Sequence, residues 1–533
     1  MAALAALPPL SLYIHIPWCL KKCPYCDFNS HEKRGELPEA GYVDALVADV
    51  EASLPKVWGR RISTVFIGGG TPSLFAPQSI DRLLTAVRTR LAIDPDAEVT
   101  MEANPGTFEA ARFAGYRGAG VNRLSIGVQS FDDAKLAALG RVHGADEARR
   151  ALEMALRTFP TVNVDLMYAL PEQSAEQAIA DVREAIASGA PHVSAYHLTL
   201  EPDTHFFRFP PRLPPQDVAA DMQESIEALL AQAGFGHYET SAFARPGHRA
   251  RHNLNYWSFG DYLGIGAGAH GKLSLRERIT REVRERKPAS YLRAALDGDA
   301  IAESHDVGER DLPFEFMLNA LRLTEGFPAA LFSERTGLPI ALIEPQLARA
   351  ESRGLLARDL ASIRPTERGQ RFLNDLNVRQ SIATRRGISL APEVVAKLMV
   401  LEVLLPKSFE QVLSWLAQNA LRQQIASLEA AAGRRVEAEE AVSGDGDRAT
   451  SGDASAKLEK SKDESKDQAE RGDFDDDLLR WAKLPPPLAG IRPDLPAALA
   501  DVIDVLRADH HPDVAARGHR VHLPHPGVGP GDP

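Results

Sequence analysis

The sequence predicts an α/β protein in which about six strand–helix units form a largely parallel sheet. Short apolar runs alternate with amphipathic stretches from Leu10 to about Leu200, and this spacing is typical of parallel strands joined by right-handed helical crossovers. Three cysteines follow the first run, and isolated polar residues follow several later ones. These positions are the carboxyl ends of the strands, where such sheets bind their ligands.

The strand and helix patterns follow each other in regular alternation. The apolar runs that predict strands are Leu12–Ile16, Thr64–Ile67, Glu98–Glu102, Arg123–Val128, Val162–Leu166 and Val193–Leu198. The amphipathic stretches that predict helices are Tyr42–Leu54, Ile80–Leu91, Phe108–Gly115, Ala145–Arg157 and Ala175–Ala187. This order fits an open doubly wound sheet as well as an incomplete barrel.

Further segments are expected after the sheet. An aromatic, histidine-bearing stretch, His237–His270, extends the first domain, which ends near residue 300. Residues 310–376 predict a small helical domain with a wing, similar to a winged helix, and residues 377–443 predict a helical appendage. Residues 444–474 are rich in Gly, Ser, Asp and Lys, which predicts a disordered linker because such a composition forms no core. Residues 475–533 predict one short helix and a proline- and histidine-rich tail.

The overall composition indicates a soluble protein of a reducing compartment. Of the 533 residues, 44% are apolar and 25% are charged, and the net charge is −12. We therefore expect no general attraction to nucleic acid. The stretch from Met1 to Leu12 is too short and uncharged for a secretory signal, and the apolar run from Val394 to Leu405 is too short to span a bilayer. These observations predict a cytoplasmic protein without a transmembrane segment and leave peripheral membrane contact open.

The cysteines of the chain, Cys19, Cys23 and Cys26, lie within eight consecutive positions. Inert buried thiols would scatter along the sequence, so this cluster favours thiolates that bind metal. Three thiolates do not close a structural zinc site, which has four protein ligands, although His15 or His31 could supply the fourth. They suit an iron–sulfur cube in which each cysteine holds one iron. The fourth iron would then be free to bind a small molecule.

A glycine-rich turn at residues 68–72, G-G-G-T-P, follows the second predicted strand. Glycines there let backbone N–H groups approach an anionic ligand closely. The turn is not a Walker loop, because no Gly-Lys-Ser/Thr sequence follows it. By itself it is equally consistent with a tight connection.

Polar residues lie at the ends of three later strands, namely Glu102, Gln129 and Asp165, and Arg141 lies in the loop after the fourth strand. A single residue of this kind is usually a helix cap or a solvated loop residue. Several at successive strand ends would point into one opening, which suits a small zwitterionic ligand with hydroxyl groups. The carboxylates would bind its hydroxyls or its ammonium, and Arg141 would bind its carboxylate in a bidentate manner.

The segment H-N-L-N-Y-W, which begins at His252, combines an imidazole with two large aromatic faces. Such groups bind a flat macrocycle, and imidazole is a usual axial ligand of haem iron. On residue types alone, a packed turn with a hydrogen-bonded histidine is the more frequent case.

These motifs together resemble the radical S-adenosylmethionine (SAM) superfamily. C-x3-C-x2-C is its signature, and the turn at residues 68–71 resembles its methionine-binding element. Within the superfamily, the chain is most similar to the HemW haem chaperone group, relatives of oxygen-independent coproporphyrinogen III oxidase. The phrases that carry this resemblance are S-L-Y-I-H-I-P-W-C, C-P-Y-C-D-F-N-S-H, F-I-G-G-G-T-P-S, M-E-A-N-P-G, S-I-G-V-Q-S-F, H-N-L-N-Y-W and G-D-Y-L-G-I-G, spread over residues 10–270.

The resemblance implies a partial (β/α)6 radical SAM barrel that carries a [4Fe–4S] cluster on the three cysteines, with SAM on the fourth iron. It also implies haem as a ligand, haem-requiring proteins such as respiratory enzymes as recipients, and a reductant for the cluster. His252 is then the leading candidate for haem contact. The residues that the resemblance assigns to the SAM site are Tyr13, Tyr25, Gly69, Gly70, Thr71, Glu102, Gln129, Arg141 and Asp165.

Position 28 separates two related functions. The oxidase has a further cysteine two residues after the third one, and here that position is Phe28. This difference favours a haem chaperone in which coproporphyrinogen oxidase activity is lost. The alternatives are a radical enzyme of porphyrin biosynthesis that oxidatively decarboxylates coproporphyrinogen III, and a zinc-stabilised scaffold.

Residues 378–432 resemble a different family, the distal part of KAP-type P-loop ATPases, through V-R-Q-S-I-A-T-R-R-G-I-S-L and V-V-A-K-L-M-V-L-E. The nucleotide-binding part of that family is absent from the sequence. The resemblance therefore implies a helical appendage without ATPase activity, produced by gene fusion or by an artefact of the gene model.

Overall fold

The structure, a computed structural model, describes residues 4–107 and 110–373. These residues belong to one compact unit, Met1–Asn377. The predictions that lie outside the described residues are the helical appendage (377–443), the linker (444–474), the tail (475–533) and the ATPase-like stretch (378–432).

Strands and helices are numbered in chain order. The strands are β1 Leu10–Ile16, β2 Trp18–Cys19, β3 His31–Glu32, β4 Arg61–Gly69, β5 Ala92–Ala103, β6 Arg123–Gln129, β7 Thr161–Tyr168, β8 His192–His197, β9 Gly236–Glu239, β10 Ala242–Ala244, β11 Asp261–Ile265, β12 His270–Ser274, β13 Ile279–Arg284, β14 Ile301–Asp306, β15 Phe327–Pro328, β16 Leu356–Arg358 and β17 Ser362–Pro365. The helices are α1 Glu39–Val57, α2 Pro77–Arg90, α3 Ala110–Ala119, α4 Asp133–Ala138, α5 Ala145–Thr158, α6 Ala175–Ala187, α7 His205–Arg208, α8 Gln216–Gln232, α9 Arg251–Trp257, α10 Pro288–Leu296, α11 Leu312–Ala320, α12 Ala329–Thr336 and α13 Glu344–Ser352. Within the described part of the chain, none of these helices has the length and apolar character needed to cross a bilayer.

The order of the strands identifies the fold as an incomplete barrel. Strands β1, β4, β5, β6, β7 and β8 lie side by side in sequential order and pair in parallel. A doubly wound sheet would reverse its strand order at a switch point, and the order from β1 to β8 does not reverse. The α/β class predicted from the sequence is confirmed. All six predicted strands are present, and the helix predicted for residues 108–115 is α3.

The barrel strands bury apolar side chains on one face and present polar ones on the other. In β6, Leu124 and Ile126 are fully buried in the hydrophobic core that the sheet forms with its helices. The alternating residues Arg123, Ser125 and Gln129 instead line the cavity that also contains the three cysteines. Because side chains alternate along a strand, each strand contributes both to the packed core and to the lining of the cavity.

An extension continues the sheet on both sides of the barrel. Strands β10 and β9 follow β8 in antiparallel order, and β11 pairs in parallel with β1 before β12, β13 and β14 continue antiparallel. The sequence analysis predicted an aromatic segment here but no strands. Buried ion pairs stabilise the extension: Lys272 Nζ lies 2.8 Å from Asp261 Oδ1, and Arg284 Nε lies 3.0 Å from Asp49 Oδ1 of α1.

The last described segment packs around its own aromatic core. Helices α11 and α12 bring Phe316 and Phe332 together, beside a small sheet of order β15-β17-β16. Arg322 Nη2 lies 3.2 Å from Glu239 Oε2, which joins this segment to β9. Its assignment as a winged helix stays a prediction.

Candidate functional site

The cysteine loop lies between β1 and α1, next to the turn that follows β4. Backbone hydrogen bonds hold it there: Gly70 N donates to the carbonyl oxygen of Ile16 over 2.8 Å, and Thr71 N donates to that of Trp18 over 2.7 Å. Because Cys19 follows Trp18 directly, the glycine-rich turn fixes the backbone of the first cysteine.

The glycines of this turn leave no room for a side chain. Gly69 has a φ of +117°, and a Cβ there would lie 2.6 Å from His15 Cε1. A Cβ on Gly70 would lie 2.6 Å from the carbonyl oxygen of Trp18. Glycine therefore permits the close approach between the end of β4 and the cysteine loop.

Two neighbouring cavities, each of about 410 Å³, contain the candidate residues. We call them the central cavity, which contains the cysteines, and the side cavity, which shares Gly69 and Glu102 with it. Tyr13 and His252 line the side cavity. The candidates that line the central cavity are Cys19, Cys23, Cys26, Tyr25, Gly69, Gly70, Thr71, Glu102, Gln129, Arg141 and Asp165.

The cysteine thiols are partly buried. Burial raises the pKa of Cys19 and of Cys26, so binding of a metal there would displace protons. Among residues 4–107 and 110–373, no three His, Cys, Asp or Glu side chains form a site for a single metal ion. The three thiols instead line one cavity, as ligands of a larger cluster would.

Glu102, near the end of β5, is kept protonated by its surroundings. Gly69 N donates to Glu102 Oε2 over 3.0 Å. Burial, and then the negative charge of Asp165, raise the pKa of Glu102 to about 8 despite that hydrogen bond. Its carboxyl group is therefore largely neutral at neutral pH until a cationic or hydrogen-bonding ligand stabilises the charged form.

Asp165 lies in a buried chain of hydrogen bonds that the sequence analysis missed. Ser125 Oγ and Asn163 Nδ2 donate to its two carboxylate oxygens over 2.7 and 2.8 Å. His192 is hydrogen-bonded to Asn163 Oδ1 and, over 2.7 Å, to the hydroxyl of Tyr238. Polar residues at alternating positions of otherwise apolar strands were the available signal.

Arg141 and His143 fix the loop after β6. Arg141 Nη2 donates to the carbonyl oxygen of Gly127 over 2.8 Å. His143 Nε2 lies 3.1 Å from the carbonyl oxygen of Val128, and its Nδ1 lies 3.1 Å from Asn104 Oδ1. Burial lowers the pKa of His143 to about 4, so the neutral ring is favoured. His143, to which the sequence analysis gave no role, thus joins the ends of β5 and β6.

Two barrel strands lead into left-handed backbone at residues that are not glycine. Gln129, which ends β6, has a φ of +71°, and Ala169, which follows β7, has a φ of +57°. Such backbone costs of order 1 kcal/mol or more and is concentrated at functional sites. At Gln129 it coincides with a register shift between β6 and β7, next to the central cavity.

Tyr13 and His252 lie in well-bonded surroundings of the side cavity. The hydroxyl of Tyr13 lies 2.9 Å from His15 Nδ1, and His15 Nε2 lies 3.0 Å from the carbonyl oxygen of Asn29. His252 is only 6% exposed, and its Nδ1 lies 2.9 Å from Thr64 Oγ1. Tyr13, which the resemblance assigned to the SAM site, thus lies beside the central cavity and not in its wall.

The cysteine loop is also tied to the end of β11. Asn29 Nδ2 donates to the carbonyl oxygens of Ala267 and Arg286 over 2.8 and 2.9 Å. Gly268 has a φ of +78°, and a Cβ there would lie 2.2 Å from Asn29 Nδ2. The glycines of G-I-G-A-G therefore permit a second close approach to the cysteine loop.

Known proteins share both parts of this architecture. The family model of the radical SAM superfamily matches residues 13–185, and that of the HemN C-terminal domain matches residues 308–372. The solved structure of the radical SAM enzyme coproporphyrinogen III oxidase (HemN) from Escherichia coli superposes with a TM-score of 0.60. It covers 69% of this chain and 89% of that one at 23% sequence identity, which shows a shared fold.

Curated relatives are more similar in sequence. The heme chaperone HemW of Escherichia coli strain K12 is 50% identical over 375 residues, which cover 69% of this chain and 97% of that protein. A mouse protein named radical S-adenosyl methionine domain-containing protein 1, mitochondrial, is 39% identical over 326 residues, 59% of this chain and 74% of that protein. The KAP-type ATPase resemblance of residues 378–432 is not supported. It depended on two short phrases, and short phrases often match unrelated proteins by chance.

The site fits the cofactors that the radical SAM superfamily implies, a [4Fe–4S] cluster and SAM. Three thiols line the central cavity, and so do carboxyl groups and the guanidinium groups of Arg123 and Arg141. The buried Nε of Arg141 has no hydrogen-bond partner among the described residues, as expected of a group that awaits a ligand. Given this site, the shared fold and 50% identity over nearly the whole of a HemW protein, the chain belongs to the HemW family of radical SAM proteins.

Proposed function

We propose that this protein is a haem chaperone that also holds a [4Fe–4S] cluster and SAM, and that it passes haem to haem-dependent proteins such as respiratory enzymes. The observation that carries the proposal is the 50% identity to heme chaperone HemW over 97% of that protein. The names of further relatives support haem as the ligand. A reducing cytoplasm is the compartment that suits partly exposed cluster ligands.

In this proposal Cys19, Cys23 and Cys26 bind three irons of the cluster and leave the fourth for SAM. When bound and reduced by an external donor, the cluster supplies an electron to the sulfonium group of SAM. The glycine-rich turn and Asn29 hold the cysteine loop in place from two sides. The chain thus holds the three thiols together in the central cavity, where the cluster would bind.

The strand-end residues would bind SAM beside the cluster. Arg141 Nη1 lies 3.6 Å from Cys23 Sγ, so its guanidinium is well placed for the carboxylate of a ligand bound to the neighbouring iron. Glu102 and Asp165 would accept hydrogen bonds from the ribose or the ammonium group. Gln129, held in left-handed backbone, would present its amide to the same ligand.

We place haem in the side cavity, next to the SAM site. The aromatic rings of Tyr13, Tyr256 and Tyr262 line it together with His252. Phe28, which is 60% exposed, lines both cavities. An exposed aromatic ring of this kind is a natural contact for an apolar macrocycle. In the oxidase this position is the further cysteine, so Phe28 also favours the chaperone over the oxidase.

The experiment that tests the proposal is anaerobic reconstitution of the full chain, followed by iron and sulfide counting and a haem titration on the same sample. We expect four irons per chain and stoichiometric haem binding. A second sample receives SAM, a reductant and coproporphyrinogen III. Formation of protoporphyrinogen there, or a reconstituted chain that binds no haem, would overturn the proposal.

A further inference from the structure

We infer that His270, and not His252, is the residue that ligates haem iron in the side cavity. This inference rests on the proposed haem function. The side cavity is lined by the imidazoles of His15, His252 and His270. An axial ligand needs an unprotonated ring nitrogen with open space in front of it. The hydrogen bonds and the exposure of the three rings distinguish them.

Both ring nitrogens of His15 are already hydrogen-bonded. Nε2 lies 3.0 Å from a carbonyl oxygen, that of Asn29, and must therefore carry the proton. Nδ1 then accepts a hydrogen bond from the hydroxyl of Tyr13 over 2.9 Å. His15 is also only 5% exposed. It has no nitrogen to offer to iron.

His252 lies at the end of a buried chain of hydrogen bonds. Asn255 Nδ2 donates to the carbonyl oxygen of Asp261 over 3.0 Å and to Ser11 Oγ over 2.8 Å. Ser11 Oγ lies 2.7 Å from Thr64 Oγ1. Thr64 Oγ1 lies 2.9 Å from His252 Nδ1, so one ring nitrogen of His252 is already hydrogen-bonded.

The ring of His252 is also enclosed. Burial lowers the pKa of His252 to about 3, so the ring is neutral. The ring also packs against Phe66, with 5.1 Å between the ring centroids, and is nearly inaccessible.

His270 has the properties that the other two rings lack. It is the first residue of β12 and is exposed, and neither of its ring nitrogens is hydrogen-bonded to another residue in the described ranges. Arg286 is exposed and lines the same cavity, where it can face a haem propionate.

The test is a haem titration of the reconstituted full chain and of three variants, His270→Ala, His252→Ala and His305→Ala. The last is the matched control, because His305 is exposed on β14 and does not line the side cavity. We expect His270→Ala to lose the absorbance and electron paramagnetic resonance signature of imidazole-ligated haem and to bind haem at least about tenfold more weakly. Added imidazole should restore the signature. His305→Ala should match the wild type.

Results against the His270 inference can be told apart from results against the proposed function. Loss of the imidazole signature in His252→Ala but not in His270→Ala, in samples with equal iron and sulfide content, would overturn this inference and leave the proposed function intact. Failure of the wild type itself to bind haem would overturn the proposed function. Arg286→Gln gives a second measurement: it should weaken binding of haem about two- to fivefold but leave binding of haem dimethyl ester unchanged. Equal weakening of both would contradict the contact with a propionate.

Discussion

The sulfur atoms of Cys19 and Cys23 come from one short loop but contact residues of different elements. Cys19 is hydrogen-bonded to Thr71 of the glycine-rich turn, and Cys23 lies 3.6 Å from Arg141 Nη1, after β6. Hydrogen bonds to the sulfur ligands are among the factors that tune the potential of an iron–sulfur cluster. Single residues of the barrel can therefore adjust the cluster without touching its irons.

Replacement of any one cysteine by alanine should abolish a stable cluster. Each thiolate would hold one iron, and two remaining ligands leave a second corner open to solvent. Iron and sulfide counting after anaerobic reconstitution measures this. Lys33→Ala, an exposed residue of the same loop, is the control and should retain four irons. A Cys19→Ala sample with an undiminished iron count would contradict the assignment.

Glu102→Gln should stabilise the ligand-free protein at alkaline pH. The pKa of Glu102 is raised to about 8 in the folded protein from its usual 4.5. The folded state thus binds the proton more tightly than the unfolded state. The free energy of unfolding therefore falls as the pH rises from 4.5, the usual pKa, to about 8, the pKa in the folded protein. Each unit of this shift corresponds to about 1.4 kcal/mol. The neutral glutamine avoids that loss.

Thermal unfolding midpoints of the wild type and Glu102→Gln across the pH range measure this effect. The two proteins should be similar near the usual pKa of a glutamic acid, 4.5, and diverge progressively as the pH rises to about 8. Above that pH the difference should stay constant, with the variant the more stable. A constant difference at every pH would mean that Glu102 is not the titrating group.

Single residues predict a site where the residue type carries its own chemistry. Three clustered cysteines indicate metal wherever they lie in a fold. Asn163 and His192 were missed because each is an isolated polar residue within a strand. Their connection to Asp165 arises only when β7 and β8 lie side by side. Such contacts between strands leave no signal in a local stretch of sequence.

At the scale of elements, the end of β4 shows how a turn positions a cofactor loop. Gly69→Ala should reduce both cluster content and SAM affinity, because a Cβ would lie 2.6 Å from the ring of His15 and displace it. That ring is hydrogen-bonded to the carbonyl oxygen of Asn29 in the cysteine loop. Gly59→Ala is the matched control. Gly59 also has a positive φ, +74°, but a Cβ there would meet open space.

Iron content and SAM binding of the two alanine variants distinguish the clash of the added Cβ from the strain of a positive φ. Gly59→Ala should cost about 1 kcal/mol of stability through backbone strain alone and retain full cluster content. Equal losses of cluster in both variants would mean that strain, and not the close approach, is the cause.

The buried pair of β11 and β12 should be important for stability. Lys272 and Asp261 are 1% and 0% exposed, and Lys272→Met would leave the carboxylate buried with fewer partners. We expect a loss of about 3 kcal/mol. Arg61→Met, which removes a pair whose arginine is 60% exposed, should cost less than about 1 kcal/mol. Unfolding measurements on both variants test this contrast, and equal losses would contradict it.

Those buried charges also explain why the strands of the extension were not predicted. The barrel strands have apolar runs that indicate buried strands directly. Strands β12 and β13 contain Lys272, Glu282 and Arg284, residue types that usually indicate exposed segments. Their burial depends on partners on other elements, such as Asp49 of α1. A local pattern therefore identifies the barrel but not the strands that continue it.

At the scale of the whole molecule, the described unit should contain the complete function. The matched families end by residue 372, and a HemW relative aligns over 97% of its own length with 375 residues of this chain. A chain that ends at Leu376 should therefore retain cluster and haem binding equal to those of the full chain. Iron counting and haem titration on both proteins measure this. Loss of either property in the shorter chain would show that the remaining segment belongs to the function.

The two attachments of Asn29 to the backbone beyond β11 have a consequence for biosynthesis. The asparagine belongs to the cysteine loop near the start of the chain, whereas its partners, Ala267 and Arg286, are translated more than two hundred residues later. A ribosome must release the barrel and the extension as far as Arg286 before the metal-binding loop can reach its final shape. Iron and sulfide should therefore enter only after more than half of the 533 residues have been synthesised, and a nascent chain that stops short of residue 286 should remain colourless.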